Sequence, residues 1–217
     1  MIQIENVDVW GFEHAIRSAR NALNSWAKSD SHWDYVPSEE EGIDSKVVYV
    51  VGEKDLDLLH RLYNGGSEQR KCLRQIFVSM DITTNQTVWS QLDTYKVGVT
   101  KGSCSKMHTI HLKEITGDDF STEGIDEVDG IAASHFEETL KVLNHLRNEY
   151  NNTHDRKYWR ALIELLPMGY ELKATVTMNY ENVVNIIRQR SGHKMFEWNR
   201  LVAELKKLPY ITEIMGD

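Results

Sequence analysis

Residues 166–197 read LPMGYELKATVTMNYENVVNIIRQRSGHKMFE. Residues 159–166 make a short helix that Pro167 ends, since proline cannot continue the hydrogen-bond ladder. Residues 171–179 (ELKATVTMN) form a strand, and residues 180–190 and 195–207 form two closing helices.

Working outward, residues 132–150 are a long helix with Phe136, Leu140, Leu143 and Leu146 on one face. Residues 118–130 are acidic and glycine-punctuated. Residues 96–105, rich in Gly, Ser, Thr and Lys, read as a site-bearing loop, and residues 84–95 as a helix. Residues 73–82 are a nearly continuous apolar run, expected to be a strand covered on both faces. Residues 53–63 carry Leu56, Leu59, Leu62 and Tyr63 as a short helix stopped at Gly65-Gly66. Residues 29–45, with Pro37 and the Glu39-Glu40-Glu41 run, read as an exposed loop. Residues 12–26 space Phe12, Ala15, Ile16, Ala19, Ala22, Leu23 and Trp26 as one amphipathic helix, and residues 2–9 alternate as a strand. Helices and strands mix without a regular βαβ rhythm, and no G-x-G-x-x-G or Walker-type loop occurs. The class is therefore α/β of the α+β type, in one domain over residues 1–217, and not a doubly wound sheet.

The 33 acidic and 25 basic side chains leave a formal charge of −8. That opposes non-specific attraction to a nucleic-acid polymer or an anionic membrane, although a few local cations can still hold one nucleotide. No stretch approaches the roughly 20 apolar residues that span a bilayer, and MIQIENVDVW lacks the layout of a signal peptide, so a cytoplasmic protein is expected. Cys72 and Cys104 are far apart in unlike settings. The nine histidines are scattered, and His108 and His111 sit among strand-like residues with no carboxylate to complete a helical motif. Neither a disulfide nor a metal site is expected.

The order Leu166-Pro167, Asn179, Asn185, Arg190 and Phe196-Glu197 resembles the C-terminal half of the flavin-dependent thymidylate synthases, the ThyX type. Asn179 follows Pro167 by twelve residues, and Asn185 and Arg190 follow Asn179 by six and eleven. The resemblance implies a mixed or antiparallel central sheet flanked by helices. It further implies a homotetramer whose sites are shared between subunits. The activity implied is transfer of a one-carbon group from methylenetetrahydrofolate to C5 of dUMP, with reduced FAD as hydride source and NADPH as its reductant. Two amides at a strand's carboxyl end and on the next helix can pair with flavin or ribose groups. A guanidinium about three turns on can bind a pyrimidine carbonyl and stabilise developing negative charge. Residue by residue, Asn179 equally serves as a helix cap and Arg190 as an ordinary cation near a helix end.

The family's Gln, Arg-His-Arg and Ser-x-Arg-Tyr signature stands here as Gln91, Thr94-Tyr95-Lys96 and Ser103-Cys104-Ser105-Lys106-Met107, and Gly66-Ser67-Glu68-Gln69-Arg70 replaces an upstream His-containing motif. Lysine does not reproduce the bidentate fork of arginine. Lys96, Lys101 and Lys106 among glycines and hydroxyls read either as a phosphate-holding loop or as a solvated one. Cys104 reads either as a thiol activated by its neighbours or as a small buried hydrophobe. By resemblance, Arg190 and Cys104 are the catalytic candidates. Gln91, Ser103, Ser105, Lys106 and Arg160 are assigned to the nucleotide, and Asn179, Asn185, Tyr95, Lys96 and His193 to the flavin. Arg160 also has a salt-bridge reading with Asp155 or Glu164. The altered signature leaves two alternatives, a related pyrimidine-nucleotide-modifying enzyme and an inactive nucleotide-binding or interaction homologue.

Overall fold

The computed structural model describes residues 2–37, 45–128 and 130–216. Strands β1 (Gln3–Trp10), β4 (Phe77–Asn85), β6 (Glu171–Asn179) and β5 (Val99–Ser103) pair in that order, while β2 (His32–Pro37) and β3 (Ser45–Val50) form an antiparallel hairpin.

Cross-strand contacts fix the direction of the larger sheet. Thr177 Oγ1 donates to Ser79 Oγ at 3.2 Å and Thr175 Oγ1 to Asp81 Oδ1 at 2.6 Å, so a step forward along β6 is a step back along β4. Asn6 pairs with Asp81 and Trp10 stacks on Phe77, which reverses β1 against β4 in the same way. Cys104 N–H donates to Lys173 O while Gly98 lies against Asn179, so β5 opposes β6. The expected antiparallel sheet with helices is present. Along β4, Val78, Met80, Ile82 and Thr84 are buried and alternate with half-buried Ser79, Asp81 and Thr83.

The chain divides into two compact units. Unit 1 comprises Met1–Asn6, Met80–Lys96 and Lys101–Val176. It holds α3 (Gln86–Leu92), α4 (Lys106–Thr109), α5 (Glu123–Asp126), α6 (Gly130–Thr153) and α7 (Arg156–Leu165). Its core joins Ile110, Ile115, Phe120, Leu143, Leu162 and Tyr170, with Phe136, Leu140 and Leu146 of α6 packed on it, the stripe read from the sequence. Asn144 on α6 closes this core's edge, its amide accepting from Ile115 N–H at 3.0 Å and donating to Ile115 O at 2.7 Å.

Unit 2 comprises Val7–Ser79, Val97–Thr100 and Thr177–Asp217. It holds α1 (Phe12–Asn21), α2 (Glu53–Asn64), α8 (Tyr180–Arg190), α9 (Phe196–Leu205) and α10 (Ile211–Met215). Phe12 meets Tyr180 and Tyr210 edge to face at 5.5 and 5.2 Å. Val183, Ile186 and Ile187 of α8 and Trp198, Leu201 and Leu205 of α9 are buried.

Several boundaries differ from the sequence reading. Helix α1 stops at Asn21, because Asn24 turns left-handed at φ 48 and leaves Leu23 exposed. The 29–45 loop contains β2, whose alternation the polar residues hide, and ends where β3 begins, while Glu39-Glu40-Glu41 lies outside the described residues. The apolar run at 73–82 starts as a 3₁₀ turn (Arg70–Gln75), and β4 after it alternates instead of being covered on both faces within the chain. The 96–105 loop contains β5, and His108 sits on the short helix α4, not among strand residues.

Candidate functional site

Two groups of candidate residues form, one in each unit. In unit 1, helix α3 starts where it does because the Asn85 side chain accepts from Val88 N–H at 3.0 Å, while Gln86 N–H donates to Met168 O at 3.0 Å. Gln86, Ser90 and Asp93 then fall on one face of the helix. With Trp89, Lys101, Ser103, Met168 and Leu172 they line a pocket of about 270 Å³. Lys101 lies over the Trp89 ring at 4.8 Å and pairs with Asp93 at 2.5 Å. The indole N–H of Trp89 is spent on Leu172 O at 2.9 Å, which fixes the ring as a wall of the pocket. Lys106 donates to Gln86 Oε1 at 2.5 Å, and burial holds its ammonium below the usual lysine range.

In unit 2, Asn179 closes β6 and caps α8, its side-chain oxygen accepting from Asn182 N–H at 3.0 Å. It is 8% exposed. Gly98, at φ 77, packs so tightly here that a Cβ would stand 2.5 Å from Asn179 Nδ2 and 3.1 Å from Asn182 Nδ2. The Asn182 Nδ2 atom is buried with no hydrogen-bond partner. Asn185, one turn further on, is half-buried.

Helix α8 ends in a tight turn. His193 N–H donates to Arg190 O at 3.1 Å, Ser191 has φ −58 and ψ 128, and Gly192 has φ 70, the angles of a type II β-turn that requires glycine at its third place. First and fourth residues of such a turn are neighbours. Arg190 Nη1 stands 3.4 Å from His193 Nε2, and the guanidinium carbon lies 4.3 Å from the centroid of the buried Trp198 ring. Asn199 Nδ2 donates to His193 O at 2.6 Å, and Met195 N–H to His193 Nδ1 at 3.1 Å.

The structure thus groups Ser103 and Lys106 with residues the sequence did not single out, Gln86, Trp89 and Asp93. Gln91 lies five residues after Gln86, roughly 140° around the helix, and is not part of the pocket wall; its carbonyl accepts from Thr94 N–H at 3.2 Å and Thr94 Oγ1 at 2.6 Å. The missed signal is positional, since Gln86 is the first residue after a strand's carboxyl end. Tyr95 is half-buried, and Lys96 and Ser105 are exposed. The Cys104 thiol is free and exposed, whereas burial pushes the Cys72 thiol up to about 11. Arg160 is exposed and pairs with Glu164 at 2.8 Å, the salt-bridge reading. No group of three metal-ligating side chains occurs among the described residues, and no helix is long and apolar enough to cross a membrane.

Comparison with solved structures bears on the same frame. A thymidylate synthase X from Helicobacter pylori, solved with FAD and dUMP, superposes with a TM-score of 0.71 at 15% identity, covering 99% of this chain and 97% of that one. The fold is that of ThyX. A second structure, of flavin-dependent thymidylate synthase ThyX from Helicobacter pylori complexed with FAD and dUMP, gives 0.67 at 18% identity over 98% and 97%. No protein-family model matches the chain. No curated protein matches it either.

Proposed function

We propose that this protein is a ThyX-like enzyme that transfers a one-carbon group from methylenetetrahydrofolate to C5 of dUMP, using reduced FAD replenished by NADPH. What supports the reading is a ThyX likeness running through nearly the whole chain, with neighbours solved with FAD and dUMP. Arg190 carries the chemistry. Its guanidinium, held on Trp198, donates to a pyrimidine carbonyl and stabilises the negative charge that develops when the ring is attacked.

In unit 1 the roughly 270 Å³ pocket is smaller than the ~300 Å³ at which small-molecule sites usually begin. It suits the phosphate end of a nucleotide, with Ser103, Ser105 and Lys106 as donors and Gln91 contacting the nucleotide from beside it. Cys104, between Ser103 and Ser105 in the sequence and with its thiol exposed, is the candidate nucleophile.

The residues of unit 2 fit a flavin. Asn182 carries a buried donor in need of an acceptor, and the Gly98 cradle keeps backbone and amides close. Asn179, Asn185 and His193 would hold the cofactor there, and Tyr95 and Lys96 remain cofactor candidates by the resemblance alone. FAD, when bound, supplies hydride chemistry. Arg160, tied to Glu164, is the weakest of the nucleotide assignments. A homotetramer in the cytoplasm, acting on free nucleotide and not on a polymer or membrane, completes the reading.

One observation favours the alternative of a nucleotide-binding homologue without turnover. Thr94-Tyr95-Lys96 stands where the family has Arg-His-Arg, so the forks that would grip a flavin are missing while Ser103 and Lys106 remain for a phosphate. Incubation with FAD, NADPH, methylenetetrahydrofolate and dUMP, followed by mass spectrometry of the nucleotide, decides between them. A methylated product supports the enzyme. Unmodified dUMP under every condition rejects it, and colourless protein that still binds dUMP leaves the binding homologue.

A further inference from the structure

Arg20, in the last turn of α1, uses only part of its guanidinium fork within the fold. Its Nε donates to Asp55 Oδ1 at 2.6 Å and its Nη1 to Ser25 O at 3.3 Å. Nη2 donates to nothing among the described residues, although the side chain is only 6% exposed. A donor in that position calls for an acceptor from outside the fold.

Arg20 lines a pocket that exists because α1 ends abruptly. Asn24 turns left-handed at φ 48 and Ser25 N–H reaches back to Arg20 O at 3.1 Å, the closure of a Schellman motif. That turn leaves Leu23 84% exposed on one wall, and α2 supplies the facing wall with Lys54, Leu58 and Arg61. The space between them is about 570 Å³, inside the ~300–1,000 Å³ range of small-molecule sites. It lies wholly in unit 2 and shares no residue with the flavin candidates.

Charge decides what the pocket takes. Arg20 is balanced by Asp55 and Arg61 by Asp57 at 2.9 Å, whereas the ammonium groups of Lys28 and Lys54 have no partner among the described residues. Glu53 is the single unpaired acid in the wall, so positive charge is in excess here in a chain of net −8. Backbone donors at the start of α2 are already taken, since Asp30 accepts from Lys54 N–H at 3.0 Å and Asp55 N–H at 3.2 Å. An anion entering the pocket is therefore held by side chains. We propose that this pocket binds a small amphiphilic anion, its carboxylate or phosphate head on Arg20 Nη2, Lys28 and Lys54 and its short apolar body against Leu23 and Leu58. The site is independent of the nucleotide assignment. Because the ligand ties the end of α1 to α2, it stabilises unit 2 as its concentration rises above Kd.

In the full chain, the Arg20 Nε–H, shielded and fixed on Asp55, gives a ¹⁵N–¹H signal that reports on the pocket. Hexanoate and hexyl phosphate are expected to shift it and to raise the thermal midpoint, and the tighter of the two names the head group. An equal shift with hexanol rejects the anion. Acetate and inorganic phosphate binding as tightly as the chain-bearing probes reject the apolar body, and no shift with any probe rejects the site. Lys54→Met is expected to weaken hexanoate about tenfold, the loss of one charge-assisted hydrogen bond. Leu23→Ser is expected to weaken hexanoate while leaving acetate unchanged. Both side chains are exposed, so each variant should keep the wild-type urea midpoint without ligand. Undiminished hexanoate binding in both variants overturns the proposal.

Discussion

Gly192 at φ 70 sets the spacing of Arg190 and His193. An alanine there enters the left-handed region at a cost of about 1–2 kcal/mol, so Gly192→Ala is expected to lower the unfolding free energy measured in urea by that much or to open the turn. Opening separates the two side chains, and dUMP binding measured by calorimetry should weaken in the same variant. Arg190 stands out in the sequence by its spacing from Asn179 and His193 only by the resemblance, and neither reading gives their contact. It depends on the turn type, which Ser191-Gly192 encodes, and on Trp198, which comes from the next helix. Gln86, Trp89 and Asp93 were not legible either, because the resemblance had been anchored on Gln91. That residue lies on another face of the same helix, where spacing counted along the chain gives no warning. Cys104 could be read two ways, and its exposure removes the buried-hydrophobe reading without showing reactivity.

At the scale of elements, α8 separates two roles that Asn179 could hold. As a cap its oxygen receives Asn182 N–H at 3.0 Å. Asn179→Ala is expected to destabilise by about 1 kcal/mol, whereas Asn179→Ser keeps a capping oxygen and nearly all of that stability in chemical denaturation. If the amide also serves FAD, the serine variant is expected to purify with less flavin, read from its visible absorbance, despite a normal unfolding midpoint. Equal flavin content in wild type and Asn179→Ser leaves Asn179 with the cap alone. Helices α2, α6, α7, α8 and α9 and strands β1 and β6 were readable because each has one strong period and a clear stop, such as Pro167 or Asn179. The β2–β3 hairpin and β5 were not. Trp33, Tyr35 and Val47 are exposed, and β5 is mostly Gly, Ser, Thr and Lys, so neither carries the buried alternation by which a strand announces itself.

For the molecule as a whole, resistance to acid is expected to hinge on one buried carboxylate in unit 2. Asp55 is fully buried and accepts from Arg20 Nε at 2.6 Å, Ser29 Oγ at 2.6 Å and Ser31 Oγ at 2.7 Å. Burial alone would raise its pKa, but the two serine hydroxyls, the Arg20 hydrogen bond and the Arg20 charge together outweigh it and hold the carboxyl below 3.8. The unfolded chain, whose Asp55 has the ordinary value, therefore takes up its proton first as pH falls. The stabilisation is complete above that ordinary value and is lost as pH drops through the lower folded one. Removing one partner of a buried pair leaves the other charge uncompensated, which costs about 3–5 kcal/mol. Asp55→Asn is expected to lose that amount at neutral pH in chemical denaturation. Protonated wild type resembles the asparagine variant, so the two stability curves should converge below the ordinary aspartate value of 3.8. Curves that stay parallel through the acid range would mean that the Asp55 proton is not coupled to folding.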